Sequence, residues 1–334
     1  MVKKILGVLM VCAVVLLGAS QLGYFVRPLD TDGAKLHIDT YHSLPEQTME
    51  VLVFGSSHAF KGVNMTEMYN AFGIGGYNYG TNWQEINTTR LFLEDALMTQ
   101  TPKVALIEMF KVNDIIINEE VGPQVYYSRY IRNKEALGRY LNQCLGGDPK
   151  KYLSYYFPLY RFHDNWSSLK EDSFQPIDTP EDNRRYINNF GYLRTRACEE
   201  VEIPDPAGFK QKKISAKCIA ELDAMVALCH EKGIEVILFT VPFGREYKYG
   251  DFLTQYAAEN NCVYLDLFRE IDAVGLDGKT DFQDAGHLNT SGATKVAHYL
   301  GAYISEHYEM TDMRTISGNY WETELKKSDE LAGL

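Results

Sequence analysis

A doubly wound α/β fold, a parallel sheet with helices on both faces, is what this 334-residue sequence predicts, on three observations. Short apolar runs at Val51–Phe54, Val104–Met109, Ile234–Val241 and Cys262–Leu267 have strand length and are rich in β-branched and large apolar residues. They lack the in–out alternation of half-exposed strands, as expected when both faces are covered. Stretches of helical periodicity separate them, which calls for βαβ units and parallel pairing.

The first thirty residues stand apart. Lys3 and Lys4 precede an uncharged run from Ile5 to Val26, long enough to cross a bilayer as a helix of about 20 residues. The two lysines favour an inside amino terminus, so that everything following lies outside the cytoplasm. The alternative is a protein secreted after cleavage near Gly18-Ala19-Ser20, a small-residue site. Residues 1–27 are thus expected to form a signal anchor and 28–48, polar and turn-rich, a stalk with His37 and His42 as solvated loop histidines.

From there the elements follow in order. Val51–Phe54 is a buried strand, and Gly55-Ser56-Ser57 turns sharply at its carboxyl end, where open α/β sheets place their ligands. The plain alternative for that turn is a serine N-cap. Met65–Phe72 is a short helix ended by Gly73. Tyr77-Asn-Tyr-Gly-Thr-Asn-Trp83 begins as a second strand and becomes a Gly/Asn turn whose backbone amides suit an anion, ahead of a helix with Ile86, Leu91, Leu93 and Leu97 on one face. Glu108 lies in the Val104–Met109 strand, where a carboxylate needs a partner or the sheet end. Residues 115–206 are dense in tyrosine and read as a helical insertion, a lid or substrate wall over the carboxyl face of the sheet; tyrosines offer sugars an apolar face and a hydroxyl. Within it, His163-Asp164 is a local polar contact. Gln211–Lys232 is a helix stopped at Gly233, Phe252–Glu259 another, and Ser291–Ser305 the last, with 311–334 a polar tail.

Net charge is −12, with no Lys/Arg block, which argues against nucleic acid as a partner. The five cysteines beyond Cys12 are scattered without C-x-x-C spacing, which is neither a disulfide framework nor a zinc site, although one disulfide stays open. No feature calls for a metal, nucleotide or flavin, and no cofactor is expected.

Near the end, Asp281-Phe-Gln-Asp-Ala-Gly-His-Leu-Asn-Thr290 places Asp284 three residues before His287 in a Gly-containing loop. Such a pair lets the carboxylate orient one ring nitrogen while the other faces a nucleophile, as acyl chemistry requires. A serine after the first strand, a Gly/Asn turn after the second and D-x-x-H before the last helix together resemble the SGNH hydrolase superfamily, the GDSL-like esterases. Gly55-Ser56-Ser57 stands where that family has Gly-Asp-Ser, and Asp284–Ala293 looks like its membrane-anchored branch, which includes proteins of alginate O-acetylation and lipoteichoic-acid D-alanylation. The likeness spans about residues 48–114 and 211–305, within a domain bounded at 49–310.

The resemblance implies a flavodoxin-like sheet and a triad of Ser57 as nucleophile, His287 as base and later acid, and Asp284 as its orienter. Ser57's own amide supplies one oxyanion donor, with Gly80, Asn82 and Asn113 as further candidates. Three positions depart from the pattern: Ser56 replaces the usual aspartate, Trp83 stands at the second glycine of N-x-G-x-x-G, and Lys111-Val-Asn113-Asp114 is a displaced third block. The expected activity is that of an extracytoplasmic serine esterase or O-acyltransferase acting on an acylated glycan or other cell-envelope polymer, and the expected membrane contact is the N-terminal helix. The alternative is a non-catalytic assembly protein that keeps the fold and recruits a polymer or a membrane acyltransferase. An ordinary flavodoxin-like receptor leaves the three ordered blocks unexplained.

Overall fold

The computed structural model describes residues 2–26, 34–169 and 190–332. Its first element, α1 (Val2–Val26), is followed by α2 (Ala34–Tyr41) and the opening strand β1 (Val51–Phe54), whose four residues are all buried. After it come α3 (Ser57–Phe60), α4 (Met65–Phe72), β2 (Gly76–Asn78), α5 (Ile86–Ala96) and β3 (Val104–Glu108). Between β3 and the next core helix lie α6 (Pro123–Tyr127), α7 (Lys134–Leu145), α8 (Pro149–Tyr156) and α9 (Pro158–Phe162). The remainder is α10 (Ala216–Glu231), β4 (Glu235–Thr240), α11 (Gly250–Glu259), β5 (Val263–Asp266), α12 (Ile271–Val274), the hairpin β6 (Phe282–Asp284) and β7 (His287–Leu288), α13 (Thr290–His307) and α14 (Tyr320–Ala332).

Strands β1 to β5 form one parallel sheet in the order β2-β1-β3-β4-β5, the doubly wound order expected. The chain moves one way from β1 to β2 and the other way from β3 onward. Right-handed crossovers therefore put α4 on one face and α5, α10 and α11 on the other. Packing agrees, with α13 against α4 and α10 against α5. The order reverses between β1 and β3, so the crevice at their carboxyl ends is the place such a sheet offers a ligand. Caps fix the helices that frame it: Asn64 accepts from the Glu67 amide ahead of α4, Ser215 from Cys218 ahead of α10, and Asn289 from Ser291 and Gly292 ahead of α13.

Two expectations at the ends of the domain are corrected. The stretch read as a stalk includes α2, whose Ile38 and Tyr41, with Leu44 beyond it, are buried in the core. His37 and His42 are not solvated. His37 stacks on Tyr77 with ring centres 5.4 Å apart, its Nδ1 lies 3.1 Å from the Tyr77 hydroxyl, and burial pushes its pKa down to about 3. His42 Nε2 sits 2.6 Å from Asp95 Oδ2, and that carboxylate also accepts from the Tyr79 hydroxyl and from the Arg132 and Asn133 amides. Tyrosines at the β2 edge need an apolar cover, and α2 supplies it. The polar tail is likewise docked. Trp321 is fully buried, its ring 3.9 Å from that of Phe190, and Arg314 donates to the Asn70 and Ala71 carbonyls near the end of α4.

Residues 115–169 of the insertion are largely helical, whereas 190–205 run without helix, and the helices go to different places. Helix α7 packs on α5, and α8 and α9 pack on each other, with α9 also against α1. Helix α6 and the residues beside it reach the loop that follows β2, and Phe190 accepts from the Asn78 amide at the end of that strand. Residues 170–189 lie outside the described residues. His163 and Asp164 are an exposed local pair, 3.1 Å apart. All six cysteines are free thiols, with Cys144, Cys218 and Cys229 buried.

Candidate active site

The turn after β1 contains both of its possible readings in consecutive residues. Ser56 is the N-cap of α3, its hydroxyl accepting from the His58 amide, while Ser57, the first helical residue, points its Oγ at His287. Gly55 makes the geometry possible. Its φ is +138°, and a Cβ there would lie 2.7 Å from the Cβ of Glu108 and 3.2 Å from that of Ala59, so only glycine fits. Its amide donates to Gln84 Oε1 at 2.9 Å, and Gln84 Nε2 donates in turn to the Tyr79 carbonyl and the Thr81 hydroxyl.

Across the crevice, the β6–β7 hairpin presents His287. Ser57 Oγ lies 2.8 Å from His287 Nε2, and His287 Nδ1 lies 2.9 and 3.0 Å from the two oxygens of Asp284. With Nδ1–H donated to the carboxylate, Nε2 is left as the acceptor of a hydrogen bond from the Ser57 hydroxyl. Asp284 also accepts from the Gly286 amide at 2.7 Å. Partial burial opposes its charge, but the hydrogen bonds from His287 and Gly286 hold its carboxyl below the usual range. Desolvation lowers the His287 pKa; the Asp284 hydrogen bond raises it and Lys61 lowers it again, leaving the ring below its ordinary value. Ser57 and His287 are half-buried, so the pair is accessible.

Asp281 and Asn289 hold the hairpin. Fully buried Asp281 accepts from Lys295 Nζ at 2.6 Å, the Ser291 hydroxyl at 2.7 Å and the Asp277 amide at 2.7 Å; Asn289 donates to the Thr280 carbonyl. An extended strap joins the two halves of the site. The Asn78 amide donates to Phe190, Leu193 donates to Phe60 at the end of α3, Glu199 donates to Phe282 in β6, and Thr195 accepts from Thr290.

Glu108, conspicuous in the sequence, reaches the sheet end beside Ser56. Its Oε2 accepts from Ser56 Oγ at 3.1 Å and its Oε1 from the Phe110 amide at 2.7 Å. Burial pushes its carboxyl up to about 8, against the pull of those hydrogen bonds. His58 is a buried neighbour, its ring stacked 3.8 Å from Phe110 and 5.4 Å from His287; burial, then the nearby positive charges, keep it neutral.

The oxyanion candidates separate. As N1 of α3, the Ser57 amide is one that the helix itself leaves without a partner. Gly80 is close to the turn, since a Cβ on it would lie 3.0 Å from the Gly55 carbonyl, but its amide is drawn back to Asn78 Oδ1 at 3.2 Å. Asn82 lines a pocket together with Gly80, Thr81, Phe92, Tyr127 and Ser128, whose empty space, mouth included, is ≈ 530 Å³. Asn113 is turned to α10, its side-chain oxygen accepting from the Ser215 amide at 2.7 Å. Trp83, at the position of the missing glycine, keeps a glycine-like backbone, with φ +52°; its ring is largely exposed and has Lys111 Nζ 4.3 Å from its centre.

No family model and no curated protein matches the sequence. Among solved structures, the chain is similar to a "putative acylhydrolase" from Bacteroides fragilis. The two are 13% identical over 81% of this chain and 94% of that one, with a TM-score of 0.40.

Sequence reasoning missed Gln84, Asp281, Asn289 and the strap. A signal existed for Asp281, which precedes Asp284 by the same three residues that separate Asp284 from His287. Gln84 and the strap left none, because their role depends on which backbone amides the fold leaves unpaired. Among the described residues no three His, Cys, Asp or Glu side chains gather as a metal-binding group.

Proposed function

We propose that the protein is an SGNH-type serine esterase or O-acyltransferase, acting outside the cytoplasm on acyl esters of a cell-surface or secreted glycan. The observation that carries this reading is the continuous hydrogen-bonded chain Ser57–His287–Asp284, built from two segments 230 residues apart in sequence. In the first half-reaction, Ser57 Oγ attacks the ester carbonyl while His287 Nε2 takes its proton. The resulting oxyanion is met by the Ser57 amide, and His287 returns the proton to the departing alcohol as the acyl–Ser57 ester forms. In the second, His287 deprotonates water or a sugar hydroxyl, which attacks the acyl carbonyl and releases Ser57. Asp284 stabilises the imidazolium formed in each step. The pocket at Gly80–Asn82 is walled by α6 and has no triad residue in its lining; it adjoins the β1–α3 turn through Gly80, which supports it as a place for a small acyl group. Helix α1 supports membrane anchoring: the span Val2–Gly23 contains an 18-residue window of mean hydropathy 2.4, and none of that window is buried.

One observation favours a second reading, a non-catalytic binding or assembly protein that works with a cell-envelope polymer or a membrane acyltransferase. The Gly80 amide already donates to Asn78, and the Asn113 side chain is held at the start of α10 by the Ser215 amide, which leaves the oxyanion hole incompletely set. A fluorophosphonate probe separates the two. The enzyme reading expects covalent labelling at Ser57 that disappears in Ser57→Ala and in His287→Ala, both variants staying folded by circular dichroism. Absence of labelling in the wild-type protein, together with unchanged polymer binding in Ser57→Ala, establishes the second reading.

A further inference from the structure

Large exposed apolar side chains are unevenly placed. Outside α1, Leu153, Tyr156, Phe157, Tyr160 and Trp166 lie within one 14-residue stretch that begins in α8 and ends just after α9. The first four lie at or on either side of the bend at Phe157, whose extended backbone (φ −116°, ψ 90°) separates α8 from α9, and all four are exposed. The opposite side of α8 faces the domain: Tyr155 is buried, with its hydroxyl 3.3 Å from Ser128 Oγ and its carbonyl accepting from Arg129. This helix pair therefore shows solvent an aromatic face.

The position of that face is set by α1. Gly23 packs so closely on α9 that a Cβ there would lie 2.9 Å from the Leu159 amide and 3.3 Å from the Pro158 Cβ. Asn165 Nδ2 donates to the Val26 carbonyl at 2.9 Å, satisfying one of the acceptors that the end of a helix leaves open. The span Val2–Gly23 is about 33 Å long as an α-helix, which matches a hydrocarbon core of about 30 Å. If that span crosses a bilayer, Gly23 stands at its outer boundary, and α9, in van der Waals contact with Gly23, stands at the same depth. Tyrosine and tryptophan are the side chains that favour this boundary, where a ring is buried and its polar atom stays wet.

We propose that α8, α9 and the turn carrying Trp166 form a membrane-interface platform, seated in the headgroup region of the leaflet from which α1 emerges. The occupant of the aromatic face is lipid. The catalytic domain is then fixed in height and tilt by two neighbouring contacts, the spanning helix and the platform, and not suspended on a stalk. This inference goes beyond the esterase reading and rests only on α1 as the anchor.

The test uses the full chain in phosphatidylcholine vesicles, with part of the lipid replaced by lipid brominated near the headgroup end of its acyl chains. Subtracting the emission of Trp166→Phe isolates the Trp166 component, and the platform expects bromolipid to reduce it by roughly twofold. Trp166→Phe is a conservative change at an exposed ring, and it is expected to leave thermal stability unchanged. Flotation of the chain with the vesicles reports the anchor in the same sample. Flotation with an unquenched Trp166 overturns the platform alone, including the case in which a second protein copy covers the face. Loss of flotation overturns both the anchor and the platform, while esterase labelling at Ser57 is unaffected by either result.

Discussion

His287 can act as a base at neutral pH only while its ring is neutral, and its surroundings hold it so. Desolvation is the largest influence, Lys61 adds to it, and the Asp284 hydrogen bond acts in the opposite direction. A lowered pKa means that the ring loses its proton at lower pH than a free histidine does. The acid limb of kcat/KM on a soluble synthetic ester is therefore expected to have its midpoint below 6.5, the ordinary histidine value. Removing one depressing charge, as in Lys61→Gln, is expected to move that midpoint upward by less than about 1 unit. A wild-type midpoint above 6.5, or a downward shift in Lys61→Gln, contradicts the assignment. Trp83 poses a different residue-scale question. A tryptophan at φ +52° sits in a region that costs an L-residue about 1–2 kcal/mol, and the exposed cation–π contact with Lys111 returns about 0.5–1 kcal/mol. A strained, exposed ring beside the candidate site suits stacking on a sugar. Trp83→Gly is accordingly expected to leave the melting temperature nearly unchanged or slightly raised. KM for a peracetylated sugar should rise several-fold, with kcat for 4-nitrophenyl acetate unaltered. Equal losses on both substrates would count against a sugar-stacking role.

At the scale of elements, the site is two turns held in register by parts that do no chemistry. The β1–α3 turn depends on Gly55, where positive φ and the 2.7 Å approach of Glu108 Cβ act together. Gly55→Ala must shift β3 or the turn itself, at a cost on the order of 1–3 kcal/mol. If Ser57 is the nucleophile proposed, a displacement of about 1 Å there is worth roughly a hundredfold in rate. Both effects are expected in Gly55→Ala, read by thermal denaturation and by turnover of a synthetic ester. Gly286 in the β6–β7 turn is the internal control. A Cβ there meets nothing nearer than Asp284 Oδ1 at 3.3 Å, and alanine keeps the amide that donates to Asp284. Gly286→Ala should retain activity within a few-fold. If the two glycines prove equally sensitive, the elbow is not what fixes Ser57. The strap from Phe190 to Glu199 explains why turns so distant in sequence stay aligned, since it is hydrogen-bonded to α3 at one end and to β6 at the other.

For the whole molecule, the sheet was legible in the sequence because buried parallel strands need unbroken apolar runs, and each of the four long runs became a strand. The Ser57 and Asp284–His287 segments were legible because small residues at a strand end and a D-x-x-H loop carry their own local geometry. The ends of the domain were not. Pro28–Met49 and 311–334 are polar on average, and average polarity hides a few residues that bury completely, such as Ile38, Tyr41 and Trp321. The oxyanion candidates were only partly legible for a related reason. Whether Gly80 or Asn113 faces Ser57 depends on competing partners, Asn78 and the Ser215 amide, that no spacing rule shows. The docked tail leads to the last expectation. Trp321 fills a site between Tyr69 on α4 and Phe190 on the strap, with ring centres 5.8 and 3.9 Å away. Its removal thus loosens the strap as well as opening a cavity. Trp321→Ala should cost about 3–5 kcal/mol by denaturant unfolding. Because the strap also holds β6, reactivity of Ser57 toward a fluorophosphonate should fall while most of the protein is still folded. A tail that merely covers the surface predicts loss of stability with labelling unchanged below the unfolding transition, and that outcome would separate the tail from the alignment of the triad.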